Sequence, residues 1–214
     1  MMEPVILEKF DVAVDPAQVL RFLGSKGKGR PAPAGRYDRN LSEAMEAAKR
    51  LIAPKGIYTY AAGRELPGST ILAHLDRLAF CVCTIGPALE AEVTRLSSGG
   101  EMLKAIVLDA IGSVAAEAVA AHMDARIAAD VAREGLKTSC RASPGYGDWD
   151  VREQASIFKL LPAERIGVRL SETFMMSPRK SVSFAMHIAV EPDRLRSENS
   201  CENCDKRDCR YRLD

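Results

Sequence analysis

The chain has 214 residues, of which 47% are hydrophobic and 28% charged, a balance typical of a soluble protein with a substantial core. Its formal net charge of +1 provides no global field to attract nucleic acid or an anionic membrane. No apolar run approaches the ~20 residues that span a bilayer, and the first residues lack the basic and apolar regions of a signal peptide. The composition therefore predicts a cytoplasmic protein that binds neither nucleic acid nor membrane.

The first half of the chain is predicted to contain three helices and two strands. The helices cover residues 16–23, 41–53 and 87–98, and the strands cover residues 56–62 and 77–85. Asp15 and Pro16 provide a turn into the first helix, and Asn40 with Glu43 forms a capping box for the second. Both strands are rich in aromatic and β-branched residues. Residues 25–36 are rich in Gly, Pro and basic residues, which indicates a loop.

Residues 101–133 form the longest helical pattern in the chain. Five apolar residues recur at helical spacing along one predicted face: Leu103, Ile106, Ala110, Val114 and Ala121. Glu117 falls in the middle of this stripe, so its carboxylate is expected to be shielded from water, which is costly for an unpaired charge. Two explanations remain open for Glu117: a structural partner such as an arginine, or a role in lining a ligand cleft.

The C-terminal half is predicted to add one helix and two strands. They cover residues 150–162, 166–172 and 181–190. Either Asp150 or Asp148 caps the helix. In the last strand, alternate apolar residues from Val182 to Val190 are expected to face one side of a sheet.

These elements together predict the class of fold. Strands paired locally with one dominant helix indicate an α+β fold, with an antiparallel or mixed twisted sheet, a long central helix and flanking helices. We expect one main domain, residues 1–192, followed by a cysteine-rich tail, residues 193–214.

The segment CRASPGYGDW, residues 140–149, suits neither a helix nor a regular strand. Pro144 fixes its own φ, and the two glycines admit positive φ, so the backbone can approach a ligand closely. The guanidinium of Arg141 suits a carboxylate, while Tyr146 and Trp149 offer flat faces for an adenine ring or a sulfonium cation. An ordinary turn is the alternative explanation.

Three spaced segments resemble the activation (reactivation) domain of cobalamin-dependent methionine synthase. The helix AEAVAAHMDARI at 116–127 is similar to the family's Ala-Glu-Ala helix, and RASPGY at 141–146 is similar to its Arg-x-x-Pro-Gly-Tyr loop. LSETFMMSPRKSVS at 170–183 resembles the family's Leu-Thr-Glu-Ser…Met-x-Pro…Ser-Val-Ser segment. The resemblance covers roughly the C-terminal half of the chain, and it departs from the family where Phe184 follows Ser183.

The resemblance implies the fold of that domain and a shallow cleft that binds S-adenosylmethionine. Six residues carried over by position would hold this ligand: Glu117 on the helix, and Arg141, Ala142, Pro144, Gly145 and Tyr146 in the loop. It also implies docking on a corrinoid protein such as methionine synthase, with an electron donor of flavodoxin or ferredoxin type. The protein would then be the activation component of a methyltransferase system, and it would support reductive methylation of cob(II)alamin.

The histidines bear on where the cobalamin is carried. None of His74, His122 and His187 has the Asp-x-His-x-x-Gly context of corrinoid carriers, so cobalamin is expected on a separate partner protein. We assign the three histidines to structural roles. Two other function classes remain open: a non-catalytic module that binds corrinoid proteins, and a metal-binding interaction module.

Six cysteines in a cytoplasmic chain argue against a disulfide framework. Cys81 and Cys83 lie in an apolar strand and are expected to be buried thiols. Three others occur in a polar segment at the C-terminal end: Cys201, Cys204 and Cys209. With Cys140 as a fourth ligand, they would suit a [4Fe–4S] cluster or zinc, and reduced thiols are the alternative.

Overall fold

The computed structural model describes residues 3–23, 38–66, 69, 71–193 and 195. Within these residues the helices are α1 (Pro16–Phe22), α2 (Asp38–Leu51), α3 (Ala88–Ser98), α4 (Met102–Ala132) and α5 (Gln154–Leu160). The strands are β1 (Val5–Leu7), β2 (Lys55–Ala61), β3 (Leu78–Thr84), β4 (Lys137–Thr138), β5 (Arg169–Leu170), β6 (Met176–Ser177) and β7 (Ser181–Ala189). Short 3-10 helices cover Gly63–Glu65, Val151–Glu153 and Ala163–Ile166.

An antiparallel sheet of five strands, in the order β1-β2-β3-β7-β4, forms the centre of the structure. β5 and β6 pair with each other in a separate antiparallel hairpin. β3 lies in the middle of the large sheet, where Val82 is opposite both Ile57 of β2 and Ser183 of β7. All seven residues of β3 are buried, as expected for a strand that is covered on both faces.

The two faces of this sheet support separate apolar clusters. Phe184 and Met186 of β7 belong to a cluster with residues of α1 to α4, whereas Ala185 belongs to the cluster on the opposite face. This second cluster also contains Trp149, from the segment after β4, and Ile157 of α5. The alternation predicted for the last strand is thereby confirmed from Val182 to Ile188, whereas Val190 lies beyond β7 and is exposed. The α+β fold with a long central helix is confirmed as well.

The long helix α4 packs against the sheet and against α1, α2 and α3. The apolar stripe predicted for it is wrong at several positions, because Leu103 and Ile106 are 41% and 49% exposed and Glu117 is exposed rather than shielded. The fully buried positions are offset from that stripe and include Val107, Ile111, Ala115, Val119 and Met123. Since most positions in α4 are alanine or another apolar residue, the pattern does not single out one face, and the neighbouring elements decide which face is buried.

Other boundaries also differ from the prediction. α2 begins at Asp38, so the predicted cap Asn40 lies inside the helix. The preference of one residue for a capping position is small compared with the helix propensity summed over a longer segment. The strand expected at 166–172 is reduced to β5, because a 3-10 helix precedes it and ends at Gly167 with φ of 80°. β1 is a strand of three residues that the sequence pattern does not indicate.

No helix among the described residues is long and apolar enough to cross a lipid bilayer. After β7, the backbone N–H of Asp193 donates to Nδ1 of His187 at 2.8 Å, and Leu195 is buried in the second cluster. The three tail cysteines of the predicted metal site lie outside the described residues: Cys201, Cys204 and Cys209.

Gly63 provides a test of the close packing within the connection from β2 to β3. A Cβ added there would lie 1.6 Å from the carbonyl oxygen of Leu72, and the N–H of Gly63 donates to the carbonyl of Leu75 at 2.8 Å. We expect Gly63→Ala to lower the free energy of unfolding by about 3 kcal/mol, because the backbone at Leu72 cannot withdraw without disturbing this bond. Urea denaturation measures the loss.

Gly100→Ala is the matched control. Gly100 has φ of 81° and has no atom within 4 Å of an added Cβ, so only the left-handed conformation is penalised, at about 1 kcal/mol. Equal losses of stability in the two variants would contradict the steric explanation for Gly63.

Candidate ligand-binding site

The segment that follows β4 is fastened to the sheet by backbone hydrogen bonds along β7. The N–H of Ala142 donates to the carbonyl of Ala185 at 2.9 Å, and the N–H of Ala185 donates back to Ala142 at 2.8 Å. Before this pair, the N–H of Ser139 donates to the carbonyl of His187 at 2.9 Å, and the Oγ of Ser139 accepts from the N–H of His187. Arg141 is therefore placed at a defined position along the edge of β7.

The chain then turns sharply through residues 143–149. The N–H of Tyr146 donates to Ser143, and the N–H of Gly145 donates to the carbonyl of Trp149 at 2.7 Å. Gly145 has φ of 94° and Gly147 has φ of 53°, which explains the glycines at these two positions. The sequence predicts a backbone that can approach a ligand closely, but the amides of Ala142, Gly145 and Tyr146 are engaged within the protein.

Trp149 anchors the turn and does not form part of its exposed surface. Its side chain is 1% exposed, and Nε1 donates to the Glu153 carboxylate at 2.8 Å. The expectation that Trp149 offers a flat face to a ligand is therefore wrong, because the second apolar cluster of the sheet encloses the ring. Tyr146 is different, since it is 55% exposed and its ring remains accessible.

The guanidinium of Arg141 is the centre of the candidate site. Its Nη2 lies 3.4 Å from a carboxylate oxygen of Glu117, and its Nε lies 3.5 Å from a carboxylate oxygen of Asp124. The guanidinium carbon lies 5.6 Å from the centre of the Phe184 ring, within the range of a cation–π contact. Nη1 is buried and has no hydrogen-bond partner among the described residues. One nitrogen of this cation therefore remains without a partner among the described residues.

Glu117 and the loop are brought together as predicted, although the environment of Glu117 is different. The Glu117 side chain is 52% exposed and is paired with Arg141, so its position is explained by the arginine partner that the sequence left open. Its charge also reaches Tyr146: burial, and then the charge of Glu117, raise the pKa of the Tyr146 phenol. The acidic residue on α4, Arg141 and Tyr146 consequently form one local group.

Asp124 is a member of this group that the sequence reasoning missed. It lies on α4 seven residues after Glu117, a spacing that places both carboxylates on the same side of a helix. Burial raises the pKa of the Asp124 carboxyl, and the positive charge of Arg141 opposes this effect. The spacing of seven residues could have indicated that Asp124 accompanies Glu117. Their common partner, Arg141, comes from a loop that is distant in the sequence.

Gln154, the first residue of α5, connects this helix to the β5–β6 hairpin and to β7. Its Nε2 donates to the carbonyl of Phe174 at 2.8 Å, and its Oε1 accepts from the Ser183 hydroxyl at 2.8 Å. Phe174 has φ of 60°, in the left-handed region that non-glycine residues rarely adopt. Gln154 and Ser183 are both buried. Ser183, in the segment that resembles the family motif, therefore donates its hydroxyl hydrogen bond to a buried side chain of the protein.

The cysteines and histidines in the described part of the chain form no metal centre. No group of three or more His, Cys, Asp or Glu side chains there is arranged to hold a metal ion. Cys140 is exposed, whereas Cys81 and Cys83 are buried as predicted, and burial raises the pKa of the Cys81 thiol. The ring of His122 lies 5.0 Å from that of Phe10, in keeping with the structural role assigned to it.

A separate cleft of about 370 Å³ lies between the N-terminal segment and α2. Its lining is largely apolar and includes Phe10, Val14, Met45, Ile52 and Ile111. None of the residues that surround Arg141 lines this cleft. The candidate site on the loop is therefore independent of it.

The antiparallel sheet, the long helix and the loop beside it define the class of this protein. The structure is similar to a crystal structure described as the MetH reactivation domain bound to AdoHcy, with a TM-score of 0.63 and 17% identity. The match covers 90% of this chain and 79% of that chain. Similarity at this level of identity establishes the fold, which is that of a reactivation domain. A comparison with curated proteins finds no match.

The family is established by the sequence. Residues 71–193 match the family described as vitamin B12 dependent methionine synthase, activation domain. Because this match covers more than half of the chain, the chain belongs to the activation-domain family of vitamin B12-dependent methionine synthase. The resemblance inferred from three motifs is thereby confirmed, and the matched range contains Glu117, Asp124 and the whole loop.

Asp150 closes the loop by capping the 3-10 helix that follows it. Its carboxylate accepts from the backbone N–H of Arg152 at 2.8 Å and also pairs with the guanidinium of Arg152. The side-chain hydrogen bonds from Arg152, followed by its backbone N–H, lower the pKa of Asp150 to about 2. The ionised carboxylate is thus the form that the folded loop favours.

We expect Arg152→Ala to raise the pKa of Asp150 toward, but not fully to, the usual value of about 3.9, because the backbone N–H remains. A carboxyl whose pKa is lowered on folding stabilises the protein above its unfolded pKa, and this contribution disappears as the pH falls through about 2. Carboxyl NMR titration measures both values. An unchanged pKa in the variant would contradict the pairing with Arg152.

Proposed function

We propose that the chain binds S-adenosylmethionine at the Arg141–Tyr146 loop and supports reductive methylation of cob(II)alamin on a separate corrinoid protein. One observation supports the ligand site above all: Nη1 of Arg141 is buried without a hydrogen-bond partner among the described residues. A buried guanidinium nitrogen without a partner is costly unless a ligand satisfies it. Family membership adds to this, as does the AdoHcy bound to the similar reactivation domain.

The ligand contains the groups that this site can satisfy. Its carboxylate suits the planar fork of Arg141, and its ammonium group suits the half-exposed carboxylate of Glu117. The exposed ring of Tyr146 offers a face to the adenine or the sulfonium. Ala142, Pro144 and Gly145 set the path of the backbone beside these groups, and the φ of 94° at Gly145 would strain any other residue.

The chemistry belongs to the bound molecules, and the protein supplies their positions. One electron from a donor of flavodoxin or ferredoxin type and the methyl group of S-adenosylmethionine convert cob(II)alamin to methylcobalamin, with S-adenosylhomocysteine as the other product. Around Arg141 the described side chains form ion pairs and ring contacts and show no pair arranged for acid–base catalysis. Such a site orients a methyl donor toward a docked partner such as methionine synthase.

We expect Arg141→Ala to weaken binding of S-adenosylmethionine by about 10- to 100-fold, because a charge-assisted bidentate contact with the ligand carboxylate is lost. Isothermal titration calorimetry measures the dissociation constant. Arg77→Ala is the matched control: Arg77 pairs with Glu134 at 2.6 Å, outside the loop, and its loss should leave the affinity unchanged. Absence of binding by the wild-type protein would remove the ligand proposal.

Reactivation itself is tested with a purified corrinoid protein that holds cob(II)alamin, a reductant and S-adenosylmethionine. Formation of methylcobalamin that depends on this chain supports the activation role. If the chain binds S-adenosylmethionine and the corrinoid protein but no methyl group is transferred, it is a non-catalytic docking module. The absorbance spectrum of the corrinoid distinguishes the two results.

The metal prediction for the tail is tested separately. In the division we propose, residues 1–192 form one domain and residues 193–214 a tail, and Cys140 is an exposed thiol next to the ligand loop. We expect the protein purified without oxygen to be brown and to contain iron if Cys140 joins Cys201, Cys204 and Cys209 at a [4Fe–4S] cluster. Colourless protein with bound zinc would replace this prediction by a zinc site, and metal-free protein would remove both.

A further inference from the structure

We infer that Asp124 is a positioning residue that holds Arg141 in place, whereas Glu117 is the partner that releases Arg141 when the ligand binds. This inference rests on the proposed function, since it assigns separate tasks to two carboxylates at the same site. It concerns Asp124, which lies in the helical segment 116–127 but is not one of the six residues that the resemblance assigns to the ligand.

The geometry of the guanidinium separates the two carboxylates. An arginine presents its N–H donors along a side edge, formed by Nε and one terminal nitrogen, and an end edge, formed by both terminal nitrogens. Asp124 faces Nε at 3.5 Å and Glu117 faces Nη2 at 3.4 Å, so the protein occupies the side edge. Nη1 belongs to the end edge and has no hydrogen-bond partner within the described residues.

A carboxylate that binds the end edge needs both terminal nitrogens. Nη1 has no protein partner to give up, but Nη2 must be released by Glu117, whereas Nε can keep its contact with Asp124. The exposure of the two side chains supports this assignment, because that of Asp124 is 34% exposed and that of Glu117 is 52% exposed. The more exposed and longer Glu117 side chain is therefore the one that can turn to another partner.

The balance of charge also requires Glu117 to exchange Arg141 for another partner. Arg141 already faces two carboxylates, and a third from the ligand would leave an excess of negative charge around one cation. The ammonium group of S-adenosylmethionine removes this excess if Glu117 pairs with it. Asp124 then remains at Nε, and the guanidinium remains over the Phe184 ring, so the guanidinium keeps its orientation.

The two tasks predict different ligand selectivity in two variants. Decarboxylated S-adenosylmethionine keeps the sulfonium and the amine but lacks the group that Arg141 binds. We expect Asp124→Asn to weaken binding of S-adenosylmethionine about tenfold, because the fork loses its charged support, and to leave binding of the decarboxylated compound nearly unchanged. Glu117→Gln should weaken binding of both compounds, since both carry the ammonium.

Asp109→Asn is the matched control for calorimetry with both ligands. Asp109 lies on the same helix and pairs with Lys180 at 2.8 Å, away from Arg141, so its loss should change neither affinity. Thermal unfolding of each variant shows whether it is folded at the temperature of the titration.

Three outcomes would overturn the assignment. If Asp124→Asn binds S-adenosylmethionine as the wild type does, Asp124 does not position Arg141, and the proposed function stands. If Asp124→Asn weakens both compounds equally, its effect on the site is general and the carboxylate-specific role is wrong. If the wild-type chain binds neither compound, the proposed function itself fails, and this result is distinct from the other two.

Discussion

The packing of α4 across the central sheet is the constraint on which the rest of the structure depends. This helix is enclosed by β3 and β7 on one side and by α1, α2 and α3 on others, and it supplies much of the larger apolar cluster. Enclosure on these sides leaves one long surface of the helix open. Because burial of apolar area drives this packing, the open side is free to carry charged residues, and Glu117 and Asp124 lie there.

The site forms where this open side of α4 meets the loop after β4, which is hydrogen-bonded to β7. The backbone bonds between Ala142 and Ala185 fix the loop to the sheet, and the buried Trp149 holds its far end. Arg141 thereby meets the carboxylates of Asp124 and Glu117 on α4, which precede it in the chain by 17 and 24 residues. The resulting group is built for recognition by charge and shape, which suits a family whose name assigns it to the activation of a cobalamin enzyme.

Some elements could be predicted because local physics determines them. The period of two in β7 survives intact, since a strand covered on both faces must still send alternate side chains to opposite clusters. The buried face of α4 could not be predicted in the same way. Alanine is compatible with burial and with exposure, so an alanine-rich helix leaves the choice of face to its neighbours, and Leu103 and Ile106 remained exposed.

By itself the sequence determined the class of fold, the long helix, the turn at Pro144 and Gly145, and the family to which the loop belongs. These follow from periodicity, from backbone restrictions at Pro and Gly, and from motifs whose order is visible in one dimension. Only the tertiary structure decided that Trp149 is an anchor, that Glu117 is half exposed, and that Asp124 completes the surroundings of Arg141. The reason is physical: burial and charge pairing depend on which distant segments meet, and no local pattern records that meeting.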